Sequence, residues 1–148
     1  MENYKHILLA VDFYEHCEAV ANRAKDLAIK YQAKLSIIHV VDSLPITDAS
    51  YGGDIPFNMD ITTELMAGAK KRLAKLAEKL AVTRDRQWLE MGSPKTEIVR
   101  VAEENKVDLI VLGSHGRHGL ALLLGSTANG VLHHASCDVL AVRLQDED

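Results

Sequence analysis

Short aliphatic runs alternate with helix-period stretches along the whole chain, and few folds accept that order. In the first run, His6–Val11, the residues Ile7, Leu8, Leu9, Ala10 and Val11 follow one another without a polar break. A strand buried on both faces reads this way, as in a parallel sheet. Val20, Ala24, Leu27, Ala28 and Tyr31 then fall at i, i+4, i+7, i+8 and i+11, the spacing of one helical face. Leu35–Val41 reads as the second strand. Asp42–Asp60 carries Pro45, Gly52, Gly53 and Pro56 and reads as a loop. Its length suits a lid that becomes more ordered when ligand binds.

A long helix is predicted from about Ile61 to Leu80, with Leu65, Ala69, Leu73, Leu76 and Leu80 on its buried stripe and Asp60 as N-cap. Arg86–Met91 is a third strand whose mixed polarity suits a sheet edge. Ser93-Pro94 supplies N-cap and first position of a third helix that buries Ile98, Val101 and Ala102. Leu109–Leu112 is the fourth strand. A fourth helix over Ser126–His134 is expected to bury Ala128, Val131 and Leu132, and Val139–Leu144 closes the series. The order β-α-β-α-β-α-β-α-β calls for a parallel sheet with helices on both faces and right-handed crossovers. Ligands of such sheets bind beyond the carboxyl ends of the strands, where strand order reverses.

The 148 residues make one domain, 1–148, large enough to bury a core without disulfides or metal. Hydrophobic residues are 47% and charged residues 26%, as in soluble globular proteins. A net charge of −4 with no Lys/Arg run argues against a nucleic-acid surface. Cys17 and Cys137 form no CxxC pair and read as reduced thiols. The start lacks a signal-peptide core, and no apolar stretch reaches transmembrane length. The expectation is a cytoplasmic protein with no membrane partner.

Chemistry concentrates after the fourth strand. Gly113-Ser114-His115-Gly116-Arg117 is followed by Gly125-Ser126-Thr127 at a helix start. Glycines admit close backbone approach, and a helix start offers free N–H groups and a positive dipole end. The pair of clusters reads either as a phosphate cradle or as a tight strand-to-helix turn with Ser126 only capping. Arg117 would add a planar cation suited to phosphate. The loop is not a Walker A sequence, not GxGxxG and not a nucleophile elbow. Asp12, which ends the first strand, would accept hydrogen bonds from a ribose, hold a hydrated metal ion, or cap the following turn. Of the seven histidines, His133 and His134 are helical neighbours that do not converge, and no ligand set of usual spacing is found, so no metal site is expected. His39, in an apolar strand, reads as a satisfied core or edge residue.

Tyr4-Lys5-His6-Ile7-Leu8-Leu9-Ala10-Val11-Asp12, Ile37-Ile38-His39-Val40-Val41-Asp42, Val111-Leu112-Gly113-Ser114-His115-Gly116-Arg117, Leu124-Gly125-Ser126-Thr127 and Cys137-Asp138-Val139-Leu140-Ala141-Val142-Arg143 together resemble the universal stress protein family over essentially the whole chain. The resemblance implies a doubly wound, five-stranded parallel sheet in the order 3-2-1-4-5. It also implies a homodimer paired through the last strand. Members carrying the motif G-x2-G-x9-G-(S/T) bind ATP, so the expected cofactor here is ATP, with Mg or Mn as a candidate companion ion. In them the Asp after the first strand contacts the ribose, backbone after the second strand meets the adenine, and the glycine and Ser/Thr positions cradle the phosphates. Carried onto this chain, the nucleotide-binding positions are Ala10, Asp12, Val40, Gly113, His115, Gly116, Arg117, Gly125, Ser126 and Thr127. Two departures stand out. The second spacer holds eight residues rather than nine, and Tyr14 replaces the small hydroxyl residue many members carry two positions after Asp12. The tail, Leu144–Asp148, is similar to a branch that lacks the glycine motif and does not bind ATP.

The expected function is regulatory binding of an adenine nucleotide in a stress response. No residue set supplies an activated nucleophile or general base. A slow ATP hydrolase assisted by Asp12 or His115, and a dimeric interaction module that binds no nucleotide, are the alternatives.

Overall fold

A computed structural model describes residues 3–13, 17–42, 59–114 and 125–143, with backbone alone at 59–62. The elements are β1 (His6–Val11), α1 (Cys17–Tyr31), β2 (Lys34–Asp42), α2 (Met59–Leu80), a 3-10 turn (Arg84–Arg86), β3 (Gln87–Gly92), α3 (Pro94–Glu104), β4 (Leu109–Gly113), α4 (Ser126–His134) and β5 (Asp138–Val142). The five strands form one parallel sheet in the order β3-β2-β1-β4-β5.

Period-2 alternation divides each central strand between two cores. Ile7, Leu9 and Val11 of β1, Leu35 and Ile37 of β2, and Leu109 and Val111 of β4 pack with the buried faces of α1 and α2. Leu8 and Ala10, Ile38 and Val40, and Ile110 and Leu112 pack on the other face, with α3 and α4. Every residue of β1 is buried, as its unbroken apolar run requires. The chain steps outward from β1 through β2 to β3, then crosses back to β4 beside β1. Strand order therefore reverses between β1 and β4, and the crevice opens at their carboxyl ends.

Several expectations change. The second long helix begins at Met59, so Asp60 lies inside its first turn and is not the N-cap. Leu65, placed on the buried stripe, is 48% exposed, and Ala69 is the first buried residue of α2 among its described side chains. Leu132, expected inside, is 41% exposed, and Gly130 is buried in its place. The cause is a close contact between α4 and α3 at Gly130. Residues two apart on a helix point about 200° apart, so turning Gly130 toward α3 turns Leu132 to solvent. The last strand runs Asp138–Val142, and Leu144 lies outside the described residues. So do 43–58, the body of the expected lid. No helix among the described residues is long and apolar enough to cross a membrane.

Candidate functional site

β2 is longer than its neighbour. The β1–β2 register ends at Val11↔His39, so Val40, Val41 and Asp42 extend past β1 and leave a step above its end. Asp12 stands exposed at that step. Ala10 and Val40 are buried, with their side chains in the core shared with α3 and α4. What Val40 can offer a ligand is therefore backbone at the step and not its side chain. The turn beside Asp12 is tightly held. Phe13 adopts φ 61°, unusual for a non-glycine residue. Its ring meets that of His39 edge-on at 4.6 Å. His39 is bound through Nδ1 to the Val11 carbonyl at 2.7 Å. That carbonyl can only accept, so Nδ1 carries the proton. Burial pushes the His39 imidazole below its ordinary value, and the Val11 carbonyl partly opposes that shift.

β4 places Gly113 at its end, paired with Val142 of β5. The Ser114 N–H donates to the Val142 carbonyl at 2.8 Å, and the Gly125 N–H donates to the Ser114 carbonyl at 2.7 Å. These bonds bring Ser114 and Gly125 together where β4 ends and α4 begins. Gly125 is the N-cap of α4, with φ −63° and ψ 158° and no side-chain capping bond. Any residue can adopt that conformation, so a need for positive φ at Gly125 is not what the turn imposes. Gly125 brings no side chain of its own to the helix end to compete for the first-turn N–H groups of α4. Ser126 is exposed there and Thr127 half-buried. His115, Gly116 and Arg117 lie outside the described residues.

Sequence reasoning missed the opposite wall. A depression of ≈ 280 Å³ is lined by Asp42, Ser93, Pro94, Lys95, Ser126 and Thr127. Asp42 pairs with Gly92 at the ends of β2 and β3, and the start of α3, just after Gly92, shares the depression with the start of α4. Ser93 is the N-cap of α3 and, like Gly125, makes no side-chain capping bond. In sequence, Ser93-Pro94 read only as punctuation. Its position after a parallel strand already put it on the ligand-binding edge, and that was the signal available. Among the described residues, no three His, Cys, Asp or Glu side chains gather in a group able to hold a metal ion.

Known proteins share both the sequence pattern and this architecture. The family model described as the Universal stress protein family matches residues 3–143. The Universal stress protein A homolog 2 of Coxiella burnetii is 42% identical over 146 residues, which cover 98% of this chain and 99% of the relative. The solved structure of hypothetical protein MJ0577 is 27% identical and covers 99% of this chain and 100% of its own, with a TM-score of 0.80. A universal stress protein solved in complex with cAMP, 22% identical and covering 95% of this chain and 98% of its own, shares the fold at a TM-score of 0.61.

Proposed function

Because this chain belongs to the universal stress protein family, we propose that it is a cytoplasmic regulatory protein of one domain that binds ATP or a related adenine nucleotide as a homodimer. The observation that carries this reading is the Gly125–Ser114 backbone bond, which sets an uncapped helix start at the end of β4, across the strand-order reversal from Asp12. In the reading, Asp12 holds the ribose, the backbone at Val40 meets the adenine, and Gly113, Gly125, Ser126 and Thr127 take the phosphates, with His115, Gly116 and Arg117 completing the loop. Mg or Mn would accompany the phosphates. The complex with cAMP belongs to a protein too distant to extend anything but the fold, so the nucleotide reading rests on this chain's own residues and on its family.

The dimer reading rests on β5. It is an edge of the sheet, paired to β4 on one side only, and Val139, Leu140, Ala141 and Val142 are half-buried there. Unpaired apolar edges are liabilities, and pairing two copies of β5 about a two-fold axis is the simplest closed solution.

Isothermal titration with ATP, with and without magnesium or manganese, tests the binding. Saturable binding is expected, with no phosphate released in a steady-state assay. Absence of heat at millimolar ATP overturns the reading in favour of a dimer that binds no nucleotide. Sustained phosphate release replaces it with the slow hydrolase.

A further inference from the structure

Among the described residues the depression between α3 and α4 contains one cation, Lys95, whose stem lies against the neighbouring helix. α3 lies against α4 at Gly130, where an added Cβ would stand 2.6 Å from Lys95 Cδ and 2.9 Å from Lys95 Cβ. The missing Cβ is thus the bed on which the lysine stem lies. Gly130 is four residues beyond Ser126 and on the same helical row. The stem is held against the row whose first member, Ser126, lines the same depression.

Lys95 also has no partner to neutralise it among the described residues, whereas its neighbour on α3 does. Arg100, one and a half turns further along α3, is shared among Glu90, Glu97 and Glu104. No ion pair or hydrogen bond engages the Lys95 ammonium among the described residues. Lys95 is exposed, its stem lies against α4, and it lines the same depression as Ser126 and Thr127, an arrangement suited to an anion that extends past the α4 start.

We infer that Lys95 is a specificity-determining residue which binds the outer phosphates of the nucleotide and makes this site prefer ATP to AMP. The inference rests on the nucleotide reading above and adds which nucleotide is chosen and by what. Ser126 and Thr127 line the α4 side of the depression and Lys95 the α3 side, so a nucleotide whose inner phosphate lies at Ser126 and Thr127 carries its further phosphates across toward Lys95, and a monophosphate held there leaves Lys95 unused. Asp42 lines the same depression and opposes the added negative charge, so Lys95 is the group that makes a longer phosphate chain favourable there.

The test is titration of the full chain with AMP, ADP and ATP in EDTA, which removes metal bridging. Wild type is expected to bind in the order ATP, ADP, AMP. Lys95→Met keeps the stem over Gly130 and should lose about tenfold in ATP affinity, as for a charge-assisted bond, with AMP affinity unchanged. Lys95→Arg should preserve the ATP preference, and Asp42→Asn should strengthen it. If Lys95→Met lowers all three affinities equally, or none of them, in a protein that binds nucleotide, Lys95 does not set specificity. If wild type binds none of the three, the nucleotide reading fails and the inference with it. A melting temperature of Lys95→Met equal to wild type separates lost contact from lost fold.

Discussion

His6 ties folding to pH. It is buried at the start of β1, where Nδ1 donates to the Asn105 carbonyl at 3.1 Å and Nε2 meets Ser36 Oγ at 2.6 Å. Burial pushes its imidazole below the ordinary value, and the Asn105 carbonyl opposes this in part. His39 is shifted the same way. A lowered folded-state value means the unfolded chain binds more protons below the ordinary 6.5. Stability is therefore full above that pH and falls as pH drops through this window, by at most about 1.4 kcal/mol per pH unit for each histidine. Denaturant midpoints measured from pH 7.5 to pH 5 should decline, and His6→Gln should remove part of the slope. At Gly130, Ala would force Lys95 aside. Overpacking costs about 1–3 kcal/mol, and the gain in helix propensity returns about 1 kcal/mol. A melting temperature lowered by a few degrees is expected for Gly130→Ala, and an unchanged one would mean that α3 yields freely.

At the scale of elements, the start of α4 carries the sharpest expectation. Because Gly125 has ordinary dihedrals, Gly125→Val should fold, at a cost of about 1 kcal/mol for a poorer N-cap. It should nevertheless abolish ATP binding, because the added side chain stands over the first-turn N–H groups. Ser126→Ala should weaken binding by about 1 kcal/mol through one lost hydrogen bond. Affinity and melting temperature measured on the same variants decide between a binding site and a mere turn, since a turn would respond in stability alone. Strands were legible wherever burial dictated composition. β4 and, after His6, β1 are apolar because both of their faces are covered, and β3 is mixed because it is an edge. Helix faces were less legible. Leu132 fitted the apolar row of α4 but lost its place to Gly130, since what seats a helix here is how close a neighbour can come, and hydrophobicity patterns do not record that.

At the scale of the whole molecule, the alternation of strands and helices fixed the layers, but it left strand order open. The order 3-2-1-4-5 came from the resemblance, and the structure has it. The site was half legible. Asp12 and the glycine clusters stood out because their chemistry is concentrated in short runs. Asp42, Ser93 and Lys95 did not, because they meet Ser126 only once parallel strands end at one edge. Assembly is the expectation at this scale. Light scattering at micromolar concentration should give twice the chain mass, and Leu140→Arg on β5 should yield a folded monomer; a monomeric wild type would sink the pairing of β5. The backbone bond between Gly125 and Ser114 has a consequence for how this chain can vary through descent. It joins Ser114 directly to Gly125, and lengthening a loop by one residue costs only about 0.1 kcal/mol in closure entropy. Relatives with nine residues in the second spacer should therefore be able to donate theirs to this scaffold without moving the helix that follows.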